Sequence, residues 1–196
     1  MDAIRFTTRL DVARLQADLT AAEHRSAWIA KPERGKYHQW SAIALHARHG
    51  STAPDAVDFH VGTELADECA PTPVLAACSY IPELLASLPA PKLRVRLMRL
   101  AAGGRIGRHR DRQYGWHLPI LRLHAPVITD PRVEFLLNDQ RIDMRPGELW
   151  YLDTTRDHEA WNHSDIDRVH LVIDLVNSDT LRDHLGPSTW ATTLGA

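Results

Sequence analysis

The side chains best suited to chemistry cluster in "GRIGRHRDRQYGW", Gly104 to Trp116, which holds four arginines, one histidine and one aspartate. His109 and Asp111 stand two residues apart. On an extended or turning backbone that spacing aims an imidazole and a carboxylate at one point, so the pair can give two ligands to a metal ion. A third ligand must come from a distant strand. The chain has 12 histidines, so spacing alone does not choose among them. His158 is favoured by its setting: it follows "PGELWYLDTTRD", where a Pro-Gly turn launches a strand, and it opens a further strand, "HEAWN". Two imidazoles and one carboxylate on one face of a metal leave three positions open, the arrangement used in non-haem iron(II) oxygen chemistry. A basic loop gripping nucleic acid is the competing reading. A formal charge of −2 weighs against it, since duplex binders carry a basic excess. Arg108, Arg110 and Arg112 alternate with the two metal candidates and so should point away, as a solvated or ion-paired rim.

Carboxylate recognition is the second chemistry the sequence suggests. Arginine, the residue that grips carboxylates bidentately, outnumbers lysine 20 to 3. In "RVHLVIDLV", Val169, Leu171, Ile173 and Leu175 form an apolar face that must pack against helices or a second sheet. Arg168, His170 and Val172 then face the other way, where Arg168 can line a cavity and hold a carboxylate. In "LPILRLHAPVIT", Leu121, Leu123, Ala125 and Val127 share one face, while Ile120, Arg122 and His124 share the other. Arg122 and His124 read as further lining. "KLRVRLMRL" sets Arg94, Arg96 and Met98 opposite Leu93, Val95 and Leu97. Arg96 is the first candidate to clamp a substrate carboxylate, Arg94 the second. Trp40 and Trp116 are candidate pocket walls.

These residues need a frame. A chain of 196 residues, 44 % hydrophobic and 24 % charged, is a single globular domain long enough to bury a core. Asp11 is placed to cap a helix running to about Arg25, with Val12, Leu15 and Leu19 on one face. A strand is expected around Trp40 to His46. "TPVLAACSYIPELLASLP" predicts one or two short helices, interrupted near Pro82 and stopped by Pro89. From Lys92 onward short alternating segments separated by turn residues predict six to eight strands, and "SDTLRDHL" a closing helix capped by Ser178. The expected division is a mostly helical or mixed support over residues 1–90, a catalytic core over 91–177, and a helix and tail over 178–196. Helices first and strands after predict a mainly β jelly roll with a cavity at one end. Two cysteines, Cys69 and Cys78, imply no disulfide framework. "MDAIRFTTRL" has no apolar core of signal-peptide length, and no run approaches the ~20 apolar residues of a membrane span. A cytoplasmic protein without membrane or nucleic-acid partners is expected; the oligomeric state is not readable.

Taken in order, "HRD", "LRLHAPVIT", "PGELWYLDTTRDHEAWN" and "RVHLVIDLV" resemble the aspartyl/asparaginyl β-hydroxylase family. That family belongs to the Fe(II)- and 2-oxoglutarate-dependent dioxygenases and includes bacterial proline cis-hydroxylases. The resemblance is strongest over roughly Leu93 to Val176 and extends weakly upstream through "YHQWSAIALH" and "CSYIPELLASLP". It implies a double-stranded β-helix, the jelly roll of cupins. It implies His109, Asp111 and His158 as Fe(II) ligands, Arg168 as partner of the C5 carboxylate of 2-oxoglutarate, and Arg122 and His124 near that cosubstrate, with O2 as the oxidant. Animal members lack the carboxylate ligand, so Asp111 makes this chain more similar to the proline-hydroxylase-like branch and argues against halogenation. Their helical repeats and membrane anchor have no counterpart here. The implied activity is hydroxylation of an unactivated C–H bond of a free amino acid, such as proline, or of an amino-acid side chain in a peptide. The alternatives are an Asp/Asn β-hydroxylase acting on a peptide or carrier-bound substrate, a cupin-like metalloenzyme that needs no Arg168, and a non-catalytic 2-oxoglutarate or metal sensor.

Overall fold

The apolar faces legible in the sequence decide the layers. In the computed structural model, which describes residues 2–32, 37–58, 60–186 and, as backbone, 190–193, the strands are β1 (Ala3–Arg9), β2 (Ile29–Ala30), β3 (Tyr37–Arg48), β4 (Cys69–Pro71), β5 (Lys92–His109), β6 (Ile120–Ile128), β7 (Val133–Leu137), β8 (Gln140–Arg141), β9 (Glu148–Leu152), β10 (His158–Asn162), β11 (Arg168–Val176) and β12 (Trp190–Thr193). The helices are α1 (Val12–Arg25), α2 (Ile81–Ser87) and α3 (Asp179–Leu185). The sheet runs β12-β1-β9-β6-β11-β5-β10-β7-β8, with β3 also on β5 and carrying β2 and β4. Every pair of named strands is antiparallel. The curled sheet is a double-stranded β-helix.

One face of β6 and β11 supplies the larger core: Leu121, Leu123, Ala125, Val127, Val169, Leu171, Ile173 and Leu175 are buried against Leu15, Leu19 and Ala22 of α1 and Ile81, Leu84 and Leu85 of α2. Each such side chain contributes roughly 1.5–3 kcal/mol when fully buried. Asp11 caps α1 as its position predicts, accepting the Arg14 N–H at 3.0 Å. α2 has no side-chain cap of its own. Instead Asp18, buried on α1, accepts the N–H groups of Ser79, Tyr80 and Ile81 at 2.7, 2.8 and 2.6 Å. Pro82 does not interrupt this helix but lies in its first turn, where a missing N–H costs nothing.

Two features differ from the sequence expectation. The N-terminal half is more β than foreseen: β1 pairs with β9 and β12, and the twelve-residue β3 runs along β5. In β1 the alternation is broken, since Ala3, Ile4 and Phe6 are all buried, so its pattern is not a plain period of two. β5 does not stop at Gly103–Gly104. The strand passes through with Gly103 at φ +73°, and a Cβ at Gly104 would lie 2.8 Å from the Ala101 carbonyl oxygen. Before this point β5 pairs with β11, and after it with β10. β10 and β11 are therefore not neighbours; they follow one another along β5. The predicted capping of α3 by Ser178 is present, its side chain accepting the Leu181 N–H. Residues 187–189 and 194–196 of the expected tail lie outside the described residues. Among the described residues no helix is long and apolar enough to cross a membrane. Cys69 and Cys78 are free thiols.

Candidate active site

His109 is the last residue of β5 and His158 the first of β10, and the two are directly paired across the sheet. Their rings lie 4.1 Å apart, centroid to centroid. Just beyond β5, the Asp111 N–H donates to the Thr154 carbonyl at 2.7 Å. That bond turns the carboxylate inward, leaving Oδ1 3.7 Å from His109 Nε2. One donor atom from each of His109, Asp111 and His158 falls within a 4.8 Å group.

Three local contacts suit these donors to a metal. His109 Nδ1 lies 2.8 Å from the Gly107 carbonyl and His158 Nδ1 3.0 Å from the Arg156 carbonyl. A carbonyl only accepts, so Nδ1 carries the proton in both rings and Nε2 presents its lone pair. Asp111 Oδ2 accepts from Arg122 at 2.9 Å, which orients Oδ1 toward the histidines. Two imidazoles and one carboxylate so arranged fit iron(II).

Behind the triad lies a cavity of about 540 Å³, within the roughly 300–1,000 Å³ of small-molecule sites. Its inner wall is the polar face of β5, β6 and β11. Register sets Arg94, Asp174 and Arg122 in one row and Arg96, Val172 and His124 in the next. Asp174 binds Arg122 bidentately at 2.6 and 3.0 Å and accepts from Arg94 at 3.2 Å; Arg96 stands 3.8 Å away. Burial pushes the Asp174 carboxyl up, but Arg122 and Arg94 together hold it well below the usual carboxylate range. Arg96 donates to the Val57 carbonyl at 2.7 Å, while its Nε is buried without a partner. Burial, then Arg94, pulls the Arg96 guanidinium down to about 9. Three guanidiniums (Arg94, Arg96, Arg122) face two carboxylates (Asp111, Asp174), an excess of one positive charge.

Arg168 occupies the far end of the wall. It is 4 % exposed, donates to His170 Nδ1 at 2.9 Å, and has a buried Nε without a partner. Desolvation alone pulls it down to about 9. Both ring nitrogens of His124 are likewise buried and unpartnered. Burial first, then Arg122 and Arg168, hold His124 neutral, well below the usual histidine value. A buried cation with an unused donor is a receptor for an anion, and a neutral imidazole beside it can donate or accept.

Trp40 lines the cavity, as expected, together with Tyr37, Ile106 and Phe135. Trp116 does not. It packs against the larger core, edge-on to Tyr151 at 5.4 Å, because the turn before β6 leads it to the opposite face. Arg108 and Arg110 form exposed ion pairs with Asp139 and Asp157. Asp174 was missed although continuing the alternation Arg168, His170, Val172 by one step reaches it. His170, given no role by the sequence, braces Arg168. Tyr37 had no sequence signal; its phenol is pushed to about 12 by burial and then by Asp111.

The double-stranded β-helix thus gathers His-x-Asp and a remote His beside a buried arginine. A family model described as Aspartyl/Asparaginyl beta-hydroxylase matches residues 10–178, and the chain belongs to this family. L-proline cis-4-hydroxylase of Rhizobium meliloti (strain 1021) is 30% identical over 171 residues, 85% of this chain and 58% of that protein. The chain thus spans less than two thirds of that relative's length. Similar solved structures are the non-heme alpha ketoglutarate dependent carbocyclase SnoK from nogalamycin biosynthesis (TM-score 0.54, 13% identity, 91% of this chain and 80% of that chain) and HygX from Streptomyces hygroscopicus with nickel and 2-oxoglutarate bound (0.53, 10%, 90% and 82%). At such identities they speak to the fold.

Proposed function

We propose that the protein is an Fe(II)- and 2-oxoglutarate-dependent dioxygenase that hydroxylates an unactivated C–H bond of a free amino acid such as proline. The observation that carries this reading is the triad sharing one cavity with a buried arginine whose Nε is unpartnered. Iron, 2-oxoglutarate and O2 together supply the oxidising chemistry, one oxygen atom going to the substrate and one to the succinate formed with CO2. His109 and His158 would hold the metal through Nε2 and Asp111 through Oδ1. Arg168 grips the C5 carboxylate of 2-oxoglutarate, and His124 offers it a hydrogen bond in the neutral form. Arg122 keeps Asp111 in place. Arg96, with Arg94 behind it, faces the substrate carboxylate, which balances the excess positive charge of that corner. Met98, Ile106, Phe135 and Val172 exclude water from the reacting carbon. Asp111, as a carboxylate ligand, would argue against halogenation. A mass-shift screen of amino acids and short peptides tests the reading. Gain of one oxygen by a free amino acid is expected. Gain by Asp- or Asn-containing peptides alone would move the assignment to peptide β-hydroxylation, and tight 2-oxoglutarate binding without any product would make the protein a sensor.

A further inference from the structure

Asp174 is 0% exposed, and its carboxylate is where the charge of the inner wall converges. Cross-strand pairing puts it opposite Arg122 on one side and Arg94 on the other. Arg122 spends Nε and one terminal nitrogen on Asp174, at 2.6 and 3.0 Å. Its remaining terminal nitrogen reaches Asp111 Oδ2 at 2.9 Å. The Tyr114 ring covers the same guanidinium, with Arg122 Cζ 3.5 Å from its centroid. A planar group held at three nitrogens and one face has no rotational freedom left, so the position of Asp174 fixes that of Asp111.

We propose that Asp174 is the positioning residue for the metal-binding carboxylate: through Arg122 it aims Asp111 Oδ1 at the histidines, and it offsets positive charge beside the cation. Without its charge, three guanidiniums would face Asp111 alone, an excess of two positive charges next to a divalent ion. Loss of orientation and added repulsion act in the same direction, toward weaker metal binding. The inference rests on the reading of His109, Asp111 and His158 as the metal site. It leaves aside which substrate enters.

The test is titration of the whole chain with Co(II), followed by its visible absorption, with neither 2-oxoglutarate nor substrate present. Asp174→Asn keeps the shape and removes the charge. Its Co(II) affinity should fall about 10–100-fold, the usual effect of losing an outer partner of a metal ligand, with an altered ligand-field spectrum. Arg122→Met should weaken binding as well, by less, because it also removes a positive charge from beside the site. Adding Asp174→Asn to Arg122→Met should then cost clearly less than Asp174→Asn costs alone, because the orienting link is already cut and only the change in charge remains. If Asp174→Asn is insoluble, Arg122→Met alone decides: wild-type Co(II) affinity in that variant overturns the proposal. Unchanged affinity in Asp174→Asn, or fully additive losses in the double variant, overturns it too. A wild-type chain that binds no Co(II) overturns the metal-site reading and the proposal with it.

Discussion

Replacing Arg168 with Met should move stability and ligand binding in opposite directions. Arg168 is buried, and desolvation alone lowers its guanidinium from 12.5 to about 9. That difference corresponds to about 5 kcal/mol against the charged form in the ligand-free protein. Because the folded value is depressed, the penalty is fully present at neutral pH, below both values, and does not vary there. Met removes the charge and keeps most of the aliphatic stem. It also strips His170 Nδ1 of its donor at 2.9 Å, which costs about 1–3 kcal/mol. The balance favours the variant by about 2–4 kcal/mol, and at roughly 2–4 °C per kcal/mol the ligand-free protein should melt roughly 4–16 °C higher than wild type. With Zn(II) in place of iron, 2-oxoglutarate at a hundred times its Kd should stabilise wild type by about 2.7 kcal/mol. It should leave the variant unmoved, so the order of the two melting curves narrows or reverses on adding the ligand. Thermal melts of both proteins with and without 2-oxoglutarate read this directly. A ligand-free variant that melts below wild type and still gains from 2-oxoglutarate would refute the assignment of Arg168 as a buried, anion-seeking cation.

Three further outcomes follow from named contacts. Asp18→Ala leaves three N–H groups at the start of α2 without their acceptor; chemical denaturation should show a loss of roughly 2–4 kcal/mol, within the range for breaking a buried polar network. His124 and His170 are both held below the ordinary histidine value, by burial first and neighbouring arginines second. Their contribution is present above about pH 6.5 and is lost as pH falls below it, by up to about 1.4 kcal/mol per pH unit for each, so His124→Phe should flatten the fall in urea midpoint between pH 7.5 and 5.5. Arg108→Ala removes an exposed pair with Asp139; melting and 2-oxoglutarate affinity should both stay at wild-type values, within about 0.5 kcal/mol.

Period-two alternation carried most of the sequence reading. It separated Leu121, Leu123, Ala125 and Val127 from Arg122 and His124, and Val169, Leu171, Ile173 and Leu175 from Arg168, and the larger core follows those apolar faces. The His109-x-Asp111 pair was legible as a chelating unit because the two residues share one face of an extended chain. Its meeting with His158 was a matter of setting and resemblance, since a period of two within each strand does not fix the register between β5 and β10, which itself shifts between His158 and Ala160. β1 escaped because a strand paired on both edges buries adjacent residues and loses its alternation. Trp116 was misplaced because a turn of several residues precedes β6 and parity cannot be counted through a turn. Asp174 was overlooked as a charge inside an apolar strand, where the partners that stabilise it come from two other strands.

The central claim is that this chain couples 2-oxoglutarate oxidation to a metal held by His109, Asp111 and His158. Succinate release in the presence of Fe(II), 2-oxoglutarate, O2 and an amino-acid substrate, compared between wild type and His158→Ala, tests it most directly. Wild type should form succinate in step with hydroxylated product, and His158→Ala should form neither while keeping its fold by circular dichroism. Undiminished succinate formation by His158→Ala would contradict the account.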